Sequence, residues 1–200
     1  MKKSLIVGIM MMLGATTVQA EDITLVVPQM SGGKPLMDVI RARRSMRVFD
    51  EKMLEPQVLS DLLWATWGIS SDRGMRVVPT ARNQQDIDLY VLQANGVYRY
   101  DAKDNVLKQV TDKDLRELMV KGQDFVRKAP IHLLFVTKDK RYGEFHAGSM
   151  YQNAGLYCAS SGLNCVVRAM YEKEELSKEL QLDDGVEVVM SMAIGYPQVK

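Results

Sequence analysis

Arg43, Ser45 and Arg47 stand within five positions of one another in RARRSMRVFD (41–50), a stretch with four arginines and no acidic residue before Asp50. Two guanidinium forks and a hydroxyl so close together can grip an anion through charge-assisted hydrogen bonds. That anion is either a carboxylate from elsewhere in the chain or a bound phosphate. The stretch lacks the glycines of a P-loop and of a dinucleotide-binding turn. A second candidate is PTARNQQDIDLYV (79–91). Its Asn83 offers a donor and an acceptor together, as needed to read a heterocycle edge carrying C=O and N–H, with Gln85 two residues on. An asparagine here also serves simply to form a turn.

The usual catalytic constellations do not occur. His132 lies in an apolar run and His146 at a helix start, neither with a second ligand at metal-binding spacing, so no metal site is expected. There is no G-x-S-x-G, and Cys158 has no neighbouring charge pattern to activate it. With an anion grip and no nucleophile, chemistry carried by a bound cofactor is the economical reading.

These residues need elements to hold them. PLMDVIRARRS (35–45) reads as a helix with Pro35 in its first turn and an inward stripe of Leu36, Ile40, Arg43 and Arg47. EPQVLSDLLWATWGIS (55–70) reads as a second, presenting Val58, Leu59, Leu62, Leu63, Thr66 and Trp67. A long polar loop leads to DIDLYVLQ, a strand, and Asn95-Gly96 turns it into VYRYD and then VLKQV. TDKDLRELMVKG (111–122) resembles a capped helix, Thr111 pairing with Asp114. APIHLLFVT is strongly apolar, as in a central strand. After it come a long helix thinned by Gly148, Ala154, Gly155, Ala159, Ser160, Ser161 and Gly162, the strand LNCVVRAM, a short helix EKEELSKEL and the strand VEVVMSMAIGYP. The thin helix suits tight packing, in a crowded core or at a subunit interface. The order implies an α+β fold with a mostly antiparallel sheet flanked by helices.

Residues 1–20 differ in kind. Lys2 and Lys3 precede the apolar run SLIVGIMMMLGA, and Val18 and Ala20 have the small-residue spacing of a cleavage site, which reads as a bacterial export signal. A periplasmic or secreted protein follows, starting at Glu21, with a tail over 21–34, a single domain over 35–200 and no membrane attachment after cleavage. Removing two lysines leaves 24 basic against 25 acidic residues, which argues against nucleic-acid binding. The two cysteines, Cys158 and Cys165, are read as buried thiols, with a bridge as the alternative in an exported chain.

Taken in order, these segments resemble the nitroreductase family of flavin enzymes. Arg43, Ser45, Arg47 and Phe49 match R-x-S-x-[RK]-x-[FY]; Pro79, Thr80, Asn83 and Gln85 match P-[ST]-x-x-N-x-Q; a small-residue helix, a strand and a final Gly-Tyr-Pro follow, over about residues 35–197. Asp86 and Ile87 stand where the pattern often has Pro and an aromatic residue. The β-meander around Asn95-Gly96 looks like the azoline-oxidase branch. The resemblance implies a homodimer binding FMN at its interface, with a two-electron ping-pong cycle from NAD(P)H or another donor to a nitro, quinone or similar acceptor. It assigns Arg43 and Ser45 to the phosphate, Arg47 to the pyrimidine side of the ring, Asn83 to the ring edge, and a backbone N–H of the Arg168-Ala169-Met170 loop to the side of flavin N5. Arg44 and Gln85, inside the motifs, and Lys200, as the basic group after the last strand, complete the expected cofactor-binding set. The alternative is a protein of the same fold that binds flavin or another small ligand without redox turnover.

Overall fold

The structure, a computed structural model, describes residues 21–198. Its sheet has seven strands in the order β1-β4-β3-β2-β5-β7-β6, every neighbouring pair antiparallel. The strands are β1 (Ile23–Thr24), β2 (Asp88–Gln93), β3 (Gly96–Asp101), β4 (Val106–Thr111), β5 (Ile131–Thr137), β6 (Asn164–Arg168) and β7 (Glu187–Gly195). Four helices accompany them: α1 (Leu36–Ala42), α2 (Pro56–Trp67), α3 (Gly143–Ser161) and α4 (Lys173–Glu179).

Period-two alternation sorts side chains to the two faces of the sheet. Leu89 and Val91 of β2 and Leu133 and Phe135 of β5 join Leu62, Leu63 and Trp67 of α2 and Ala147, Met150 and Ala154 of α3 in the main core. Tyr90, Leu92, Leu134 and Val136 face the other way, onto Met119, Leu176 and Leu180. β5 is therefore buried on both faces, which is why its sequence is strongly apolar, His132 and Thr137 excepted.

The β2–β3 hairpin forms where the Asn-Gly dipeptide stands, but Gln93 pairs with Gly96, so the loop residues are Ala94 and Asn95 and the glycine opens β3. Gly96 has φ +136°, and a Cβ there would sit 2.4 Å from the Thr111 carbonyl oxygen. Gly96→Ala is expected to cost about 2–4 kcal/mol, from a disallowed backbone and a backbone clash together. Urea unfolding of the variant checks this.

Two expected elements differ. The helix read over 35–45 stops at Ala42, and Arg43 is already extended at φ −55°, ψ 124°. The inward stripe of Leu36, Ile40, Arg43 and Arg47 does not form: Val39 is the buried residue of α1, while Leu36 and Ile40 are 62% and 49% exposed. The competing attraction is tertiary. The Met46 amide donates to Cys165 O, the Asp50 amide to Tyr196 O, and Asn164 Nδ2 to Val48 O, so segment 43–50 runs extended along the ends of β6 and β7. In the second case, Thr111 ends β4 opposite Val97, and a 3-10 turn, Arg116–Met119, replaces the capped helix, with a second, Asp124–Lys128, following it. Leu115, Met119, Val120 and Val126 pin that segment to the sheet.

The segment read as a tail is tethered along its length. The Gln29 amide donates to Asp61, Ser60 Oγ to Val26 O, Asn105 Nδ2 to Val26 O, and the Lys34 amide to Ser160 Oγ. Cys158 and Cys165 are both free and buried, as two thiols rather than a bridge. Burial pushes the Cys158 thiol up, while its hydrogen bond to Cys165 holds the latter down.

Candidate cofactor site

Because segment 43–50 is extended, residues two apart share a side. Arg43 and Ser45 line one pocket of about 280 Å³, walled by Tyr151, Gln152 and Gly155 of α3 and by Val166 and Val167 of β6. Arg44 and Met46, of opposite parity, line a neighbouring pocket with Ala159 and Asn164. Thus the pairing of Arg43 with Ser45 follows from strand spacing and not from the helical stripe; Arg47 has the same parity but does not line that pocket. The stem of Arg43 crosses Gly155, whose absent Cβ would lie 3.5 Å from Arg43 Cδ.

The charges differ in how they are spent. Arg41 pairs with Asp38 on the surface, and Arg44 Nη1 folds back to the carbonyls of Arg41 and Arg43. Arg43 and Arg47 have no side-chain hydrogen bond or ion pair among the described residues. Of the two anions open to this stretch, an internal carboxylate is thereby absent among those residues. In the pocket, the Arg43 guanidinium and the Ser45 hydroxyl retain donors for an oxyanion, a donor set that suits a phosphate.

The second candidate loop is tightly wound. Arg82, Asn83 and Gln85 have φ of +53°, +55° and +47°. Such left-handed residues cost roughly 1–2 kcal/mol each outside glycine, so neighbours must hold them. Arg76 does part of this: its guanidinium lies 4.5 Å from the Trp67 ring centre, donating to Trp67 O and Gln85 Oε1. Gln85 Nε2 donates to Gly74 O and Asn83 Oδ1. Both ends of the Gln85 amide are engaged within the protein, so Gln85 braces the loop. Asn83 is exposed.

Beyond β6, Ala169 and Met170 are exposed. Their loop is shaped by Arg168, which is buried and donates to Gln123 Oε1 and to the carbonyls of Met119 and Met170. Burial lowers the pKa of this guanidinium. The local sequence does not mark this side-chain role, because Gln123 and Met119 lie 45 and 49 residues away in the chain. Lys200 lies outside the described residues.

His146 is the largest departure from the sequence reading. No second ligand stands at metal-binding spacing around it in the chain, yet folding brings Asp86, Asp139 and His146 together, their ligand atoms all within 4.8 Å. His146 Nδ1 lies 2.6 Å from Asp86 Oδ1, and Nε2 accepts from the Ala81 amide at 2.8 Å. Asp139 accepts from the amides of Arg141 and Tyr142, which hold its carboxyl below the usual range. With both imidazole nitrogens engaged, the trio ties the 81–85 loop to the start of α3.

Comparison with known proteins agrees with this architecture. The Nitroreductase family profile matches residues 40–196. A Methanocaldococcus jannaschii protein assigned to the nitroreductases is 30% identical over 160 residues, covering 70% of this chain and 81% of its own. A solved structure from Ralstonia eutropha JMP134, also assigned to the nitroreductases, superposes with a TM-score of 0.83 at 36% identity over 90% of each chain. An oxidoreductase described as containing FMN shares the fold at a TM-score of 0.61 and 19% identity, over 84% of this chain and 80% of its own. Motif order, antiparallel sheet and family match converge: the chain belongs to the nitroreductase family.

Proposed function

We propose that the protein is an FMN-dependent oxidoreductase that passes two electrons from a nicotinamide or other donor to a nitro, quinone or similar acceptor in alternating half-reactions. The observation that carries this reading is the pair Arg43 and Ser45, side by side over Gly155 with no protein counter-ion among the described residues. A flavin phosphate satisfies that donor set. FMN, when bound, supplies the two-electron chemistry; the chain's own residues bind and orient it. Arg43 and Ser45 hold the phosphate. Arg47 puts positive charge on the pyrimidine side, where negative charge develops on reduction. Asn83 presents its amide to the ring edge, Gln85 and Arg76 hold the Asn83 loop in shape, and Ala169-Met170 offers backbone toward the redox edge.

A homodimer is part of this proposal. Leu36, Met37, Ile40, Met46 and Val48 are all more than 40% exposed on α1 and the following extended segment, an apolar surface that a second copy would cover. So is export: residues 1–20, outside the described residues, read as a cleaved signal, placing the mature chain in the periplasm or medium. No described helix is long and apolar enough to cross a membrane.

The test is recovery of the protein from its native compartment. Flavin absorbance that bleaches with a reductant and returns with a nitroaromatic or quinone supports the reading. Bound flavin that never turns over points to ligand binding alone, and colourless protein that takes up no added FMN overturns the proposal.

A further inference from the structure

The His146 trio has a specific consequence for the 81–85 loop. The Ala81 amide can only donate, so His146 Nε2 must be the unprotonated nitrogen and Nδ1 must carry the proton, donated to Asp86. Asp86 is itself held, accepting from Thr137 Oγ1 at 3.3 Å. The ring is 4% exposed and stacks against Tyr142 at 6.1 Å. One tautomer is thus selected, aimed and shielded from water.

The selected lone pair meets the chain just before the run of left-handed residues that starts at Arg82. A second restraint lies at the other end of the turn, where the Gln85 amide donates to Thr80 Oγ1. The His146 contact is the restraint that refers the loop to α3. That helix also walls the Arg43 pocket, through Tyr151, Gln152 and Gly155. Five residues, about 8 Å of helix axis, separate His146 from Tyr151, so one rigid element ties both binding segments. Asp86, which makes this possible, is a residue at which the chain departs from the family pattern.

We propose that His146 is a positioning residue for the Asn83 loop: oriented by Asp86, it anchors Ala81 to α3 and so holds Asn83 in register with the Arg43–Ser45 pocket. This rests on the FMN reading for the role of Asn83, but the clamp itself can be tested without cofactor. In the wild-type protein, nitrogen-15 spectra of the ring should show Nδ1 protonated and Nε2 bare. His146→Leu should speed hydrogen exchange at the Ala81 amide and raise the FMN dissociation constant, each by about tenfold for the loss of one buried hydrogen bond. His146→Gln can accept from Ala81 through Oε1 and donate to Asp86 through Nε2, so it should restore both to within about threefold. A ring protonated at Nε2, or an Ala81 exchange rate unchanged in the leucine variant, overturns the clamp, and the first measurement needs no variant to fold. FMN affinity unchanged despite a freed loop, or not rescued by glutamine in a folded variant, overturns the positioning role. Should the wild type take up no FMN, it is the proposed function that falls, while the ring spectra and exchange rates still decide the clamp.

Discussion

Replacing Arg43 by alanine is expected to raise the dissociation constant for FMN by about 10- to 100-fold. The guanidinium stands in a pocket with the Ser45 hydroxyl, its stem lies over Gly155, and no carboxylate among the described residues neutralises it. A charge-assisted hydrogen bond is worth about 1.5–3 kcal/mol, and each 1.4 kcal/mol is a factor of ten in affinity. Arg43→Lys keeps the charge and loses the planar fork, so an intermediate affinity is expected. Arg41→Ala is the control: Arg41 is spent on an exposed pair with Asp38, and pairs of that kind contribute little, so the change should stay within about threefold. Fluorescence titration of the apoprotein with FMN reads all three. Equal affinity in the wild type and Arg43→Ala would remove Arg43 from the phosphate site.

Lowering the pH from 7 to 5 is expected to cost about 2 kcal/mol of stability through His132 alone. The ring is fully buried in β5, and neither nitrogen has a hydrogen-bond partner among the described residues. Burial, then Arg168, then Arg116 disfavour the charged ring and bring its pKa down to about 3, while the Val126 backbone and Asp114 act weakly the other way. In the unfolded chain the value is near 6.5, so below that pH the unfolded state binds a proton that the folded state refuses. Stability is therefore fully present above about pH 6.5 and is lost as pH falls toward 3, at about 1.4 kcal/mol per pH unit. His132→Leu fills similar volume and has nothing to titrate. Its urea midpoint should hardly respond to this change of pH through position 132, whereas the wild type should lose the 2 kcal/mol relative to it. The comparison stays above the range where Asp101, Asp114 and Glu187, held down by lysine or arginine partners, begin to protonate. Identical slopes in the two proteins would mean that water or a rearranged neighbour solvates the ring.

His132 and His146 show where local sequence stops being informative. Both are single histidines in unremarkable neighbourhoods of the chain. One ends with no side-chain hydrogen-bond partner among the described residues, the other with two, because tertiary packing supplies the surroundings: Ala81 and Asp86, 65 and 60 residues away, meet His146, while Arg168 and Arg116 face His132. The same limit applies to α1. Periodicity continued the helix through Ser45 and its stripe on to Arg47, and Arg, Ala and Leu all favour helix. What stops it is a set of backbone hydrogen bonds to β6 and to the residue after β7, whose value no local window contains.

Other features are local and were legible. The Asn95-Gly96 hairpin follows from a conformation that glycine alone tolerates cheaply. The double burial of β5 follows from a run that is apolar apart from His132 and Thr137. The extents of α2, α3, α4 and β7 follow from periodicity, a proline near the start or a glycine at the end. The candidate anion grip was also legible, because residue type sets which ligand a side chain can take. Its geometry was not: whether Arg43 and Ser45 share a face depends on whether the backbone there has helical or extended period, and that was settled by the strands alongside. Chain chemistry thus determines what this protein is equipped to hold, while long-range packing determines which donors remain unspent, which are folded away, and which loop His146 clamps in place.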